Sequence, residues 1–330
     1  MKKELLSDPS SPIVSICCIT YNHARFIRDA IDGFLMQKTD FPVEIIIRDD
    51  ASTDGTAEII RRYQEEHPQL IKTIMHTENQ FSLGKRAFPE VFAMARGKYI
   101  ALCEGDDYWT DPLKLQKQVD FMEAHPECSV CCHEVEMYSD EKQEILGYFP
   151  SRQGTQIFKS DDFYRKSMIH TCAMLFKNLP IDDFFKKTNS VKIGDWALQT
   201  FLVESGDIGF IDQCMSVYRF HSGGIWNSND KFSNLGKKAE TMETVIEVLG
   251  LSKNSILLRE LMKLDFKLAV HYHDVGDSKF TKAYINKCFR LIKYFDRSRL
   301  QRLIKLSFNV YFPELNRVST SLIQLFRKRP

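Results

Sequence analysis

The stretch VEIIIRDDASTDGTAEIIRRYQEEHP, residues 43–68, decides the fold. Val43 to Ile47 is a β-branched run, too short for a helix and suited to a buried strand, and it ends in Arg48, Asp49 and Asp50. Ser52, Thr53 and Asp54 follow as candidate caps for a helix over Ala57–Glu66, which stops before Pro68 because a residue ahead of proline leaves the α region. A strand feeding a helix through an acidic, hydroxyl-rich turn is the repeating unit of an α/β sheet.

The same alternation extends on both sides. Ile13–Ile19 reads as a strand, followed by helical spacing through Phe26, Ile27, Ala30, Ile31, Phe34 and Leu35. Leu70–Met75 is a third strand, with a helix around Pro89–Ala95 after it. Lys98–Cys103 is a fourth and runs into Glu104-Gly105-Asp106-Asp107. Asp111-Pro112 opens another helix, with proline at the first turn, and Val130–Met137 resumes strand. This order predicts an α/β fold: a doubly wound, mostly parallel sheet with helices on both faces. In such sheets ligands bind beyond the carboxyl ends of the strands, where both acidic segments fall. Residues 139–229 are mixed in texture. Beyond Lys231 the spacing of Val245, Leu249, Leu257, Leu261, Leu264 and Leu268 is helical. The expected organisation is an α/β domain over 1–230 and a helical, basic C-terminal region over 231–330.

Composition narrows the function classes. The formal net charge of the 330 residues is +1, yet from Lys279 onward 13 Lys and Arg face only Asp296 and Glu314. The remainder is a mildly acidic body with 32 basic and 42 acidic side chains. A basic tail of this kind suits an anionic membrane surface, with a solvated basic face as the alternative. The opening MKKELLSDPSSP has no apolar signal-type core, and no run reaches about 18 apolar residues. Nine cysteines without framework spacing fit a reducing compartment. The expected location is therefore cytoplasmic, extended by the tail to the inner face of the plasma membrane. Cys128, Cys131, Cys132 and His133 have partial zinc spacing, but they lie in an apolar run that reads as a buried strand. His271 and His273, two apart on a helix, point to different faces.

Neither a G-x-G-x-x-G after a strand nor a G-x-x-x-x-G-K-[ST] occurs, so a dinucleotide fold and a P-loop are unsupported. A nucleotide bound here needs another device for its diphosphate, and carboxylates with Mg²⁺ or Mn²⁺ supply one. Glu104 and Asp106 share one side of an extended segment. The competing reading is a solvated acidic turn. The Asp49–Thr56 segment likewise reads as helix cap and turn, although capping does not account for two further carboxylates at the strand end.

PIVSICCITYN, IIIRDDASTDGT and ARGKYIALCEGDDYW, in this order and at these separations, together resemble the family 2 glycosyltransferases of GT-A fold over roughly residues 12–226. The resemblance implies a nucleotide-sugar donor, usually UDP-linked, and inversion at the anomeric carbon. It implies that Thr20, Tyr21 and Asn22 border the base. Asp50 would bond to the base, and Asp49 would belong to the same donor-binding set. Asn79 and Lys85 would lie on the donor side. Glu104-Gly-Asp106 would be the metal motif, with Asp107 beside it, departing from the family by Glu in the first position and leaving Asp106 as the preferred ligand. Lys192-Ile-Gly-Asp195-Trp196 resembles the segment that presents the catalytic base, although Asp195 also reads as a helix cap. His221-Ser-Gly-Gly224-Ile-Trp226 resembles the closing segment, placing His221 near the metal or the diphosphate. The expected partners are a nucleotide-sugar donor, a glycan or lipid-linked acceptor, and an anionic membrane surface through residues 279–330, with no nucleic acid. Bacterial cell-surface polysaccharide assembly is the expected setting. A sugar nucleotidyltransferase and a non-catalytic nucleotide-sugar-binding or membrane scaffold protein are the alternative functions.

Overall fold

A computed structural model describes residues 11–151, 154–166, 169–224 and 230–312. The chain divides into two compact units, Met1–Ser190 with Gly194–Ser228, and Val191–Ile193 with Asn229–Pro330.

The first unit holds strands β1 (Val14–Thr20), β2 (Val43–Asp49), β3 (Ile71–Met75), β4 (Tyr99–Leu102), β5 (Tyr108–Trp109), β6 (Cys128–Ser139), β7 (Glu144–Phe149), β8 (Gln156–Phe158), β9 (Leu175–Lys177) and β10 (Asp207–Phe220). Its helices are α1 (Ile27–Leu35), α2 (Thr56–Glu66), α3 (Ala87–Met94), α4 (Lys114–Ala124), α5 (Ser160–Arg165), α6 (Asp182–Lys187) and α7 (Gly194–Ser205). The sheet order is β3-β2-β1-β4-β9-β6-β10-β5, with β7 on β6 and β8 on β10. From β3 to β4 every pairing is parallel; beyond β4 the sheet turns mixed, since β9 runs antiparallel to both β4 and β6.

β1 is central and apolar on both faces: Val14, Ile16, Cys17 and Cys18 are all buried. That is what a parallel strand covered by helices requires. Ile27, Ile31 and Phe34 of α1, Ile60 of α2 and Val91 of α3 supply buried helix faces. Cys128, Cys131 and Cys132 lie buried in β6, as the apolar-run reading expects. Among the described residues no group of three His, Cys, Asp or Glu side chains is placed to hold a metal ion.

Two local expectations need correction. The N-cap of α2 is Gly55 at φ 100°, with no side-chain cap bond. Asp54 still accepts from Thr56 N at the helix start, at 3.1 Å, and from Ala24 N in the loop after β1, at 2.9 Å, while Gly55 takes the left-handed conformation at the cap position itself. Helix α4 begins at Lys114 rather than at Pro112, because the Asp111 side chain accepts from Leu113 N at 2.8 Å and forms a turn first.

The second unit consists of α8 (Lys231–Val248), α9 (Ser255–Asp274), α10 (Ser278–Arg290) and α11 (Arg297–Tyr311). Each starts at a side-chain cap: Asp230, Asn254, Asp277 and Asp296. Leu257, Met262, Leu268, Ile285 and Leu303 form its core. His271 stacks on Phe232 at 3.5 Å between ring centroids, which gives it a packing role. No helix among the described residues is long and apolar enough to cross a membrane.

Asp265 of α9 is fully buried, and neither carboxyl oxygen has a hydrogen-bond partner. Burial, and then the charge of Glu243, push it up to about 7, against an opposing effect of Lys287. A carboxyl raised on folding is most favourable below its unfolded value of about 4, and the stability it contributes is lost as pH rises through about 7. Asp265→Asn is therefore expected to raise the melting temperature at pH 8 by more than at pH 5. Thermal denaturation across that range checks it; a parallel shift at both pH values would refute the assignment.

Candidate active site

The parallel register sets Thr20 of β1 beside Asp49 of β2, and Cys17 beside Leu102 of β4. The segments leaving these strands therefore meet at one carboxyl edge. The loops after β1 and β2 are tied together through side chains. Asn22, at φ 55°, accepts from Thr53 N at 2.9 Å through its side-chain oxygen. Asn22 N donates to Ser52 Oγ, His23 N to Thr56 Oγ1 and Ala24 N to Asp54 Oδ2, at 2.8, 2.8 and 2.9 Å. Tyr21 stands on this surface, 45% exposed, while Thr20 is buried.

Asp49 and Asp50 are both buried. Asp49 closes a turn by accepting from Ser52 Oγ at 2.5 Å and Ser52 N at 3.0 Å. Asp50 accepts from Gln80 N, Phe81 N and Arg48 Nη2, each at 3.0 Å. Three of the roughly four acceptor positions of this carboxylate are thus engaged, with the remaining one on Oδ2. Arg48 is fixed in turn by Glu90 at 2.6 Å, and Glu90 also meets His76 at 2.8 Å. Asn79 donates to the Asp50 carbonyl at 3.2 Å and accepts from Ser82 N at 2.7 Å, while Lys85 reaches Gln80 Oε1 at 2.7 Å. Asp50 therefore shapes the segment that carries Asn79 and Lys85.

The acidic segment after β4 lies deeper. Gly105 N donates to Ile19 O at 3.0 Å, and a Cβ at this position would sit 2.7 Å from Thr20 Oγ1 and 2.8 Å from Ile27 Cδ1. Only glycine permits this approach to β1. It sets Asp106 against two imidazoles: His221 Nε2 at 3.1 Å and His23 Nε2 at 3.6 Å, both measured to Oδ2. Burial works against the Asp106 carboxylate, but the His221 hydrogen bond and the neighbouring imidazoles hold it below the ordinary carboxylate range. Burial lowers His23, partly offset by Asp106.

Asp107 faces inward and is fully buried; its Oδ1 accepts from Arg219 N at 2.9 Å, and its Oδ2 has no partner. Burial, then the charges of Asp106 and Glu104, push it well up. The Arg219 guanidinium donates to the Asp106 carbonyl at 3.2 Å, pairs with Asp29 of α1, and lies 4.3 Å from the Tyr108 ring centroid. Glu104 is raised to about 8 by burial, then by Asp106 and, further down, by Asp195, with a Thr171 hydrogen bond opposing. Asp195 sits within the first turn of α7, and its charge acts on Arg86 as well. Glu104, Asp106 and Asp195 thus share one electrostatic environment.

His23 and Arg86 are candidate site residues that sequence reasoning passed over. His23 directly follows Thr20-Tyr21-Asn22 at a strand's carboxyl end, so its position was the available signal. Ile225 and Trp226 of the closing segment, and residues 313–330 of the basic tail, lie outside the described residues.

The donors present could hold a divalent cation. Asp106 and His221 offer one oxygen and one nitrogen 3.1 Å apart, close to the ~3.0 Å edge of an octahedron with ~2.1 Å bonds. Ions of this kind take few protein ligands and fill their shells with phosphate oxygens and water.

Residues 15–184, more than half of the chain, match the domain described as Glycosyl transferase family 2. The chain belongs to that family. It is 42% identical over 217 residues to an uncharacterized protein of Mycobacterium tuberculosis, covering 65% of this chain and 61% of the relative. The match therefore spans about three fifths of that relative's length. It is 26% identical to the UDP-Glc:alpha-D-GlcNAc-diphosphoundecaprenol beta-1,3-glucosyltransferase WfaP of Escherichia coli, over 71% of this chain and 86% of the relative. In fold it is similar to S. aureus TarS residues 1–349 with UDP, at TM-score 0.53 and 14% identity, covering 84% of this chain and 91% of TarS 1–349. It is also similar to a mannosyltransferase of Pyrobaculum calidifontis in complex with GDP-Man and Mn²⁺, at TM-score 0.50 and 16% identity, over 94% and 90% of the two chains. The fold is GT-A-like.

Gly105→Ala is expected to destabilise the first unit by about 1–3 kcal/mol, because the added methyl meets the buried Thr20 and Ile27. Denaturant unfolding measures this, and an unchanged midpoint would show that the β1–β4 contact can open.

Proposed function

We propose that this enzyme transfers a sugar, with inversion, from a nucleotide-diphosphate sugar to an acceptor hydroxyl, using Asp195 as general base and Mn²⁺ or Mg²⁺ as cofactor. The reading is carried by the 3.1 Å contact of Asp106 with His221, set beside Glu104, a carboxyl that also feels Asp195. In this reading Thr20, Tyr21, Asn22, Asp49 and Asp50 border the base, and Asn79 and Lys85 lie along the donor. UDP is the expected nucleotide: the TarS structures include complexes with UDP and UDP-GlcNAc, and the name of WfaP gives UDP-Glc as its donor.

Asp106 and His221 would hold the ion, which supplies charge neutralisation for the leaving diphosphate. Asp107 and Glu104 flank Asp106 in the same segment, which Arg219 holds through the Asp106 carbonyl and the Asp107 carboxylate. Asp195 takes the acceptor hydroxyl proton as the acceptor oxygen bonds to C1. The C1–O bond to the diphosphate breaks with its electron pair leaving on the nucleoside diphosphate. A single displacement from the opposite face inverts the anomeric carbon. WfaP, by its name, acts on a diphosphoundecaprenol-linked acceptor; by analogy the acceptor here is a lipid-linked glycan in cell-surface polysaccharide assembly, met at the cytoplasmic face of the membrane.

Asp195→Asn is expected to lower turnover by about 10²–10⁴-fold, the range of general-base assistance, while UDP affinity stays within about twofold. Turnover is read as UDP release and affinity by calorimetry with Mn²⁺. Wild-type turnover in the variant would remove Asp195 from the mechanism. Activity that survives chelation would remove the metal, and pyrophosphate release from a nucleoside triphosphate would favour a nucleotidyltransferase instead.

A further inference from the structure

The outer face of α11 is apolar where a solvated helix would be polar. Leu303 and Leu306 are buried on its inner side, yet Ile304 is 55% exposed, Phe308 43%, Tyr311 41% and Phe312 53%. At about 100° per residue these four fall within an arc of about 100°, and Arg297 lies on the same arc about two turns earlier. Phe308 and Phe312 lie side by side at 5.6 Å between ring centroids. The Tyr311 hydroxyl donates to Asn286 Oδ1 at 3.1 Å, which joins the stripe to the outer face of α10, where Phe289 is 41% exposed. The helix therefore carries two apolar faces, the inner one buried at Leu303 and Leu306 and the outer one exposed at Ile304, Phe308 and Phe312, with Tyr311 at its edge bonded to α10.

The charges around this stripe have one sign. Between Lys279 and Phe312 nine Lys and Arg occur against the single acid Asp296, and Asp296 is paired with Arg299. Lys305 borders the arc. Apolar and aromatic side chains flanked by basic ones are what an interfacial helix presents to an anionic bilayer: the rings enter the headgroup boundary and the cations meet lipid phosphates. A protein partner would need a complementary acidic surface, whereas a bilayer supplies both the apolar depth and the negative charge.

We propose that the α10–α11 outer face docks on an anionic lipid surface, with Ile304, Phe308 and Phe312 as the inserted residues and Arg297 and Lys305 as headgroup contacts. The proposal rests on the membrane-bound acceptor reading only for its purpose; the surface physics stands apart from it.

The test is sedimentation of the full chain with vesicles of phosphatidylcholine alone or with about 30% phosphatidylglycerol, at about 0.1 and 0.5 M salt. Binding is expected to the anionic vesicles only, and to weaken at the higher salt. Ile304→Ser with Phe308→Ser, and separately Arg297→Glu with Lys305→Glu, are each expected to lower partitioning at least about tenfold. Melting temperature and UDP affinity, measured on the same samples, are expected to stay at wild-type values. No binding to anionic vesicles would overturn the proposal. So would unchanged binding in the serine variant together with a lowered melting temperature, which would show the stripe packed against residues 313–330 of the chain itself. A concentration-dependent dimer lost in that variant, without vesicle binding, would assign the face to a second copy. In each of these outcomes retained UDP-sugar turnover would leave the enzymatic reading intact.

Discussion

The parallel pairing of β1 with β2 on one side and β4 on the other is the constraint on which the rest of the first unit depends. Parallel register sends three chain segments out over the same edge, and each leaves with polar residues that the sheet interior could not accept. Gly105 converts that proximity into contact, because its missing side chain lets the acidic segment rest on Thr20. The acids are thereby held against β1 rather than projecting into solvent. Their distance from His23 follows from the same approach, since His23 leaves β1 three residues beyond Thr20.

That placement creates an electrostatic problem with an asymmetric solution. Glu104, Asp106 and Asp107 lie within four residues of chain, and each feels burial. Only Asp106 has imidazole partners, so it alone is held below the usual carboxylate range. Glu104 is raised to about 8, and Asp107 is raised as well, by burial and by the charges of Asp106 and Glu104. Proton affinity in the absence of a cation and cation affinity in its presence come from the same negative potential. Asp106 is set to offer an ionised oxygen, while its neighbours supply the field around it.

Much of this was legible in the sequence, for reasons that differ by element. β1 to β3 are rich in β-branched residues and β4 is a short apolar run, all bounded by turn residues and each readable to within a residue or two. β5, β8 and β9 hold two or three residues each, too few to carry a period. β10 was hidden in a stretch of mixed texture because register shifts near Ile211, Cys214 and Ser216 break its alternation. At the start of α2 the Asp54 carboxylate serves its own helix with one oxygen and the loop at Ala24 with the other, and local pattern shows only the first of these clients. At the site, strand-end carboxylates could be found by position and by family resemblance. The pairing of Asp106 with His221 spans 115 residues and with His23 spans 83, so no local spacing encodes it.

The uneven charge distribution connects these features. Residues before Lys279 carry ten more acidic than basic side chains, so that part of the chain repels an anionic nucleotide at long range. Salt confines this repulsion to roughly 8–10 Å, and capture of a diphosphate then depends on what stands within that distance. A cation held beside Asp106 would reverse the sign there. An anionic bilayer poses the same difficulty on a larger scale, and the same body would be repelled by it. Segregating basic residues on α10 and α11 gives the chain a cationic face that such a surface attracts, in a chain whose remainder is acidic.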